Sequence, residues 1–521
     1  MMVPMQTAER SEPRPLSLAR PDSLQTDGCW CPMAHCNRTD DSFQQLPPLR
    51  SVKHFQRIRH PVASSKGFIH LGSFTGRSMA VCTYSSPDLP ALAAFDYQSG
   101  SVLWTSPMED LQGWPLRIPG GIVMASMGIG GKPASSYVFA ANRNEFVAYD
   151  AHGGRLWKRR SDEIVPGMPR SIGLPISLSF NDSREVIAAT NGGWIVKLSP
   201  LDGHTIDTYK METTVCLDGR LYRGTFFTCK SPIVVGDILY LLAEFKPDDS
   251  NPLPWLFSPV HIIRIALTQP TTPGQAHKIK PLAEVRSGKE STPDRIFVGL
   301  NRGRGSPPAW VTTDGKVRIF AHAHSFKNGR LYPTIAAVED DRGVLKQRWL
   351  SMLIVSRGDS VHSAPALHGP SGNLFVTTLK SIFLYRDVDQ LVGDVPSPQP
   401  LESSDMVSLA ARPGVARVGV GSPFALTYDE ESKEIVAYTN FRAISTGGRS
   451  YGVLGAFSIP AFGREKPRPL WHRPLAVTPR GRVAPGLGTL GQPALFRYQG
   501  DKGMATGLIV NTVFTGTYII K

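Results

Sequence analysis

Two stretches of the chain repeat each other, and that repeat limits the fold more tightly than any other feature. Ala91-Leu-Ala-Ala-Phe-Asp96-Tyr-Gln-Ser-Gly100-Ser-Val-Leu-Trp104 aligns with Glu145-Phe-Val-Ala-Tyr-Asp150-Ala-His-Gly153-Gly-Arg-Leu-Trp157. The two aspartates lie 54 residues apart and the two tryptophans 53. Each copy reads as an apolar strand, an Asp whose carboxylate bonds turn amides, a Gly for the positive φ, and a returning antiparallel strand. The Trp at the end of that strand has a large ring to bury against a neighbouring unit. A period of this size marks a fold in which no unit can bury its own apolar face, so that units must stack.

A third copy is degraded: in Trp194-Ile-Val-Lys-Leu-Ser199-Pro-Leu-Asp-Gly203-His-Thr-Ile-Asp207 the Gly is kept, but Ser199 replaces the Asp and Asp207 replaces the Trp. Upstream lie further strands, Tyr137-Val-Phe-Ala-Ala-Asn142 and Glu185-Val-Ile-Ala-Ala-Thr190, so each unit reads as four short antiparallel strands. Four such strands make one blade of a β-propeller. Weaker copies follow, at 231–266, from Pro308 to Trp349, at 363–385, from Ser422 to Trp471 and from Gln492 to Lys521. The expected fold is therefore all-β, a propeller of eight blades, with seven as the alternative count. The 49 glycines and 44 prolines among 521 residues suit the many turns this needs. The last unit supplies only three strands. The segment Lys53-His-Phe-Gln-Arg-Ile58 is available as a fourth, so that strands from the two ends of the chain would close the ring and hide its sheet edges. Residues 1–50 are read as a tail and entry segment, and 51–521 as a single propeller domain.

These units resemble the repeats of the quinoprotein alcohol dehydrogenase-like propellers, whose blades carry Ala-x-Asp-x-x-x-Gly-x-x-x-Trp before a closing strand. Asp96, Gly100, Trp104, Asp150, Gly153, Trp157, Gly203, Trp349 and Trp471 are the repeat residues in that pattern. Trp30-Cys-Pro-Met-Ala-His-Cys-Asn-Arg-Thr39 resembles the segment that precedes the first blade in this superfamily, with Cys31 inserted. The resemblance implies two kinds of activity. Catalytic members hold pyrroloquinoline quinone beside an adjacent Cys-Cys pair, together with calcium and an Asp base. Others, such as the outer-membrane assembly lipoprotein, are non-catalytic. This chain has no Cys-Cys dipeptide, and no Cys follows an apolar leader. Fold resemblance alone does not decide between the two.

The net charge is +14, and it is concentrated. Arg264 to Arg348 holds fifteen basic residues against seven acidic ones, and Asn440 to Arg482 eight against one. A basic face attracts acidic partners over long range. No block of five or more Lys and Arg interleaves with aromatics, so a nucleic-acid groove is not expected. No apolar run approaches the roughly 18 residues of a membrane span. The start of the chain shows no apolar h-region of a signal peptide, which makes the cytoplasm the default compartment, and the superfamily's habit makes the periplasm or cell exterior the alternative.

Motifs for chemistry are few. Cys29, Cys31 and Cys36 cluster beside His35 without the paired Cys-x2-Cys spacing of a zinc knuckle. Cys216 and Cys229 flank a polar segment that a disulfide could span in an oxidising compartment. Gly128-Ile-Gly-Gly-Lys132 has Pro133 where a phosphate loop needs Ser or Thr, so it reads as a hairpin loop. The Gly299 to Gly305 stretch, with Arg302 and Arg304, is a glycine-basic loop able to meet an anion through its amides. His322 and His324 stand two apart on a strand, hence on one face, and are the candidate metal ligands. No cofactor is expected, with the quinone and calcium as the alternative.

The function this sequence points to is a monomeric, non-catalytic propeller scaffold. It would bind a protein or peptide partner, acidic by charge complementarity, through rim loops or along a blade edge. Arg302, Arg304 and Arg330 are the candidate partner-binding residues. The alternative is an oxidoreductase, or another small-molecule or metal enzyme, with its site in the central channel.

Overall fold

The computed structural model describes residues 42–58, 70–76, 78–84, 92–106, 122–128, 134–141, 145–164, 175–190, 192–211, 214–217, 220–228, 232–248, 258–267, 295–300, 306–327, 330–356, 359, 363–378, 380–400, 415–420, 422–445, 450–463, 465–475, 492–501, 503–512 and 516–521. Almost everything described is strand, because alternating or continuous apolar runs punctuated by Gly, Asp and Pro turns leave no room for helices. One α-helical turn, Ser161–Ile164, and one 3-10 turn, Gly369–Ser371, are the exceptions among the described residues.

The chain opens with β1 (Phe55–Ile58) and then lays down its blades in order. Blade 1 is β2 (His70–Thr75), β3 (Ala80–Tyr84), β4 (Leu92–Phe95) and β5 (Val102–Ser106). Blade 2 is β6 (Ile122–Met127), β7 (Ser135–Ala141), β8 (Glu145–Tyr149) and β9 (Arg155–Arg160). Blade 3 is β10 (Pro175–Phe180), β11 (Val186–Thr190), β12 (Trp194–Leu198) and β13 (Thr205–Lys210). A hairpin of β14 (Thr214–Leu217) and β15 (Arg220–Phe227) leads into blade 4, which is β16 (Ile233–Val235), β17 (Ile238–Pro247), β18 (Pro259–Ala266) and β19 (Arg295–Leu300).

Blade 5 is β20 (Ala309–Val311), β21 (Val317–Lys327), β22 (Arg330–Asp341) and β23 (Val344–Met352). Blade 6 is β24 (Ala366–His368), β25 (Asn373–Thr377) and β26 (Ile382–Tyr385), followed by β27 (Gly393–Asp394). After β28 (Val415–Val420), blade 7 is β29 (Ala425–Asp429), β30 (Glu434–Ser445), β31 (Ser450–Pro460) and β32 (Arg468–Pro474). Blade 8 is β33 (Ala494–Gly500), β34 (Gly503–Thr512) and β35 (Gly516–Ile520), completed by β1, which pairs antiparallel with β35 from Phe55↔Ile520 to Ile58↔Thr517.

The apolar cores show that these sheets form a closed ring. Along each strand successive side chains face opposite neighbours, so Val81 packs with Met124 toward blade 2, while Ala80 and Cys82 pack with Phe496 toward blade 8. Eight cores result, one between each pair of consecutive blades, including blades 8 and 1. An open row of eight sheets would have seven. First strands also approach one another, β2 meeting β6 and β33, and β10 meeting β6 and β16. The ring is therefore an eight-bladed antiparallel propeller with its first strands innermost.

The repeat residues sit where their chemistry requires. Asp96 Oδ1 accepts the amides of Gln98 and Ser99 at 2.7 and 2.8 Å, and Gly100 takes φ +75°. Asp150 Oδ1 accepts the amides of His152 and Gly154, both at 2.8 Å, and Gly153 takes φ +80°. The tryptophans then staple blade to blade. Trp104 Nε1 donates to Ala151 O at 3.2 Å, Trp157 to Pro200 O at 2.9 Å, and Trp349 to Val388 O at 3.2 Å. Trp471 finds no turn of blade 8 to meet. It donates to Leu49 O at 2.7 Å in the segment 42–54, which crosses blades 7 and 8 before entering β1.

Two details depart from a uniform set of four-stranded units. Blade 6 has three strands among the described residues, and Gly393–Asp394 after it pairs in parallel with the outer strand of blade 5, Trp349↔Gly393 and Leu350↔Asp394. Gly299 belongs to β19 and not to a loop. Its φ is +146°, and a Cβ there would stand 2.8 Å from His324 O, so the glycine lets β19 touch β21 and join blades 4 and 5 along one edge.

Candidate partner-binding face

In an antiparallel blade the first-to-second and third-to-fourth turns lie on one face of the ring, and the second-to-third turns with the blade-to-blade connections on the other. The first face is tightly turned and its enclosed carboxylates are paired. Glu339 accepts Arg318 Nε at 2.8 Å and Arg348 Nη1 at 3.2 Å, with Lys316 at 3.7 Å. Burial pushes its carboxyl up, but the hydrogen bond from Arg318 and the three cations outweigh this and hold it below the usual carboxylate range. Glu434 is treated alike, with burial opposed by Arg50 and Arg468 and the net shift downward. Arg264 Nε and Tyr240 OH converge on Asp340 at 2.8 and 2.6 Å. Arg155, Arg342 and Lys433 stand exposed on this face as well, with no ion pair among the described residues.

The second face is raised. In blades 4, 5 and 7 the middle strands run eight to twelve residues, β17 being ten, β18 eight, β21 eleven, β22 twelve, β30 twelve and β31 eleven. In blades 1 to 3 the middle strands have four to seven. At about 3.3 Å per residue the long pairs stand roughly 20 Å beyond their inner strands. The lower part of each is covered by its inner strand, and the upper part by an incoming strand. β15 pairs Gly224–Phe227 with Glu244–Pro247, and β28 pairs Val420 with Phe441. The β14–β15 hairpin is the inner edge of that extension, with β14 on its axial side.

This rim carries exposed cations: Arg220 and Arg223 on β15, Lys246 near the end of β17, and Arg330 at the start of β22, opposite Lys327. None of the four forms an ion pair among the described residues, and Asp248 is the exposed acid near them. Leu221, between Arg220 and Tyr222, is 63% exposed. The arrangement can take an acidic surface with an apolar side chain in it, since Arg and Lys steer the carboxylates and Leu221 offers apolar area.

Of the residues singled out from sequence, Arg330 is on this rim, while Arg302 and Arg304 lie outside the described residues. So do Cys29, Cys31, Cys36, Cys229, the Trp30 segment, Lys132 and Pro133. Cys216 lies in β14. His322 and His324 share β21 and its face toward blade 6. His322 is buried and paired with Ile335 across the sheet, and His324 is half-buried opposite Pro333. No three His, Cys, Asp or Glu side chains gather to hold a metal among the described residues. The described cysteine Cys82 is buried in the core between blades 8 and 1. Arg220, Arg223 and Lys246 escape a reading by charge density, because they precede the basic stretch. Their signal was the unusual length of the 238–247 strand and the insertion after it.

No protein family's profile matches the sequence, and no curated protein matches it. Among solved structures the chain is similar to the quinohemoprotein alcohol dehydrogenase of Comamonas testosteroni, at 9% identity and a TM-score of 0.43 over 95% of this chain and 80% of that one. It is similar to BamB of Moraxella catarrhalis at 11% identity and a TM-score of 0.36, covering 90% and 99%. It is similar to the Dos1 propeller at 7% and 0.40, covering 90% and 95%. The ring itself stands on its sheets and its eight cores.

Proposed function

We propose that this protein is a non-catalytic propeller scaffold that binds an acidic protein or peptide through the raised rim of blades 4 and 5. The observation that carries this reading is the raised rim's own set of cations beside an exposed leucine. The rim holds Arg220, Arg223, Lys246 and Arg330 exposed and without ion partners among the described residues, and Leu221 next to Arg220 is 63% exposed. Exposed, flexible cations are costly to arrange only in entropy, and they act at a distance of about one Debye length, ~8 Å at physiological salt.

The test is charge reversal. The triple variant Arg220→Glu, Arg223→Glu, Arg330→Glu is expected to keep its circular-dichroism spectrum and to weaken binding of a labelled Glu/Leu peptide by about tenfold or more, as loss of several steering charges should. Affinity of the unaltered protein should fall as salt rises. An unchanged affinity in the variant sinks the proposal. Addition of pyrroloquinoline quinone with calcium is expected to leave no bound-quinone absorbance, and its appearance would replace this reading with the oxidoreductase.

A further inference from the structure

The two faces of strand β15 differ in what they meet. Leu221 and Arg223 are exposed and Thr225 is half-buried, while the positions between and after them, Tyr222, Gly224 and Phe226, are buried. Leu221, Arg223 and Thr225 therefore line one side of the strand at steps of about 6.7 Å. Exposed Lys246 stands across from Thr225 on that same side. Asp248, whose N donates to Arg223 O at 2.9 Å, stands across from Arg223, and Glu244 is half-buried two residues below Lys246. Arg220, by the same alternation, belongs to the other side.

Blade 3 brings one more cation to the foot of this row. Its turn glycine Gly193 abuts β15: a Cβ there would stand 2.9 Å from Phe226 O, 3.2 Å from Thr225 Cγ2 and 3.6 Å from Lys210 Nζ. The Lys210 ammonium is thus within about 7 Å of the Thr225 methyl. Its Nζ donates to Gly192 O at 2.5 Å and lies 5.0 Å from the centroid of the half-buried Trp194 ring. Burial lowers the pKa of Lys210, and no carboxylate among the described residues offsets that. A cation that has already lost much of its water gains more from an incoming carboxylate than a solvated one does.

We infer that this side of the hairpin, from Leu221 down to Lys210, is the seat of the acidic partner, which lies on it as an extended segment of the form Leu-x-Glu-x-Glu. The apolar side chain packs on Leu221, the first carboxylate meets Arg223, and the second enters between Lys246 and Lys210. Two residues of extended chain advance by about 6.7 Å, which is the step of the seat itself. The assignment rests on the rim as the binding face and adds a register to it, with the recognised groups at every second position. Exposed Arg223 and Lys246 speed encounter, and half-buried Lys210 slows release.

The experiment uses the full chain and two fluorescein-labelled peptides of one composition, Leu-Ser-Glu-Ser-Glu-Ser and Leu-Glu-Glu-Ser-Ser-Ser. The first should bind about tenfold tighter than the second. Lys210→Gln, which keeps a donor for Gly192 O, should weaken the first by about tenfold, through faster dissociation. That factor should persist at roughly 0.5 M salt, while the loss of about tenfold in Arg223→Glu shrinks, because salt screens exposed charges more than half-buried ones. Arg220→Glu, on the other side of the strand, should cost less than about threefold, and Asp248→Asn should strengthen binding by about threefold. Equal affinities for the two peptides, or an unchanged affinity in Lys210→Gln, overturn the seat while the rim reading stands. Failure of both peptides to bind overturns both. Glu212→Gln removes the acid nearest to Lys210 in sequence and should leave the affinity unchanged. A gain of about tenfold there would show the chain's own carboxylate in the seat and overturn the partner's place.

Discussion

Gly153 shows how one atom can decide the join between two blades. Its positive φ already excludes most side chains, and any Cβ would enter the Trp104 ring. Gly153→Val is expected to destabilise the protein by about 3 kcal/mol, and Trp104→Ala by a similar amount. A double variant should cost less than the sum of the two, because both remove one contact, and denaturant melts of the four proteins check this. His368 belongs to the same scale. It is buried between Phe43 and Tyr428, at ring distances of 4.7 and 4.9 Å, with Nδ1 2.7 Å from Ser371 Oγ. Burial lowers its pKa to about 3. The unfolded chain binds the proton first as pH falls below about 6.5, so stability is lost from there down toward the folded value. The Tm of the unaltered protein should therefore drop between pH 6.5 and 4 more steeply than that of His368→Gln. Equal slopes would show that the imidazole titrates as freely folded as unfolded.

Among the elements, the long hairpins separate stability from binding. β17 feeds the cores between blades 3, 4 and 5 from Leu239 to Phe245, and the hairpin paired with its upper end adds Val215, Tyr222 and Phe226 to the same blade 3–4 core while keeping Arg220, Leu221 and Arg223 exposed. Replacing only the exposed Arg220, Leu221 and Arg223 of the β14–β15 hairpin by Ser should leave Tm within a few degrees, since Val215 and Tyr222, which the hairpin buries between blades 3 and 4, are kept. The same change should remove most binding of the acidic peptide, because it takes away Arg220, Leu221 and Arg223 together. A large fall in Tm would show that these three side chains support the core.

At the scale of the molecule, stability depends on closure. Four residues of β1 join the ends of the chain, and His54 N and Lys521 N each bond the other's carbonyl, at 2.7 and 2.9 Å. Counting along the ladder from that pair puts Gln56 in a hydrogen-bonded position opposite Ile519. Gln56→Pro removes that bond and should cost about 2 kcal/mol. It should also expose the β35 edge, so light scattering is expected to grow with protein concentration. No helix among the described residues is long and apolar enough to cross a membrane.

Local chemistry made much of this legible from residues alone. Asp96, Gly100 and Trp104 act through neighbours a few positions away or one period away, so their spacing encodes the blade, and eight copies with a spare N-terminal strand encode the closed ring. Burial of apolar faces is a property that every strand announces in its own side chains. The parallel join of β27 to blade 5 and the raised rim were not written in that way. They depend on which edge a strand chooses, as when Gly393–Asp394 pairs with Trp349 and Leu350 of blade 5, and on which face of the torus a cation emerges. Hydrogen-bonding groups of the backbone are the same in every residue, so pairing partners and exposure are settled only when the whole ring is assembled.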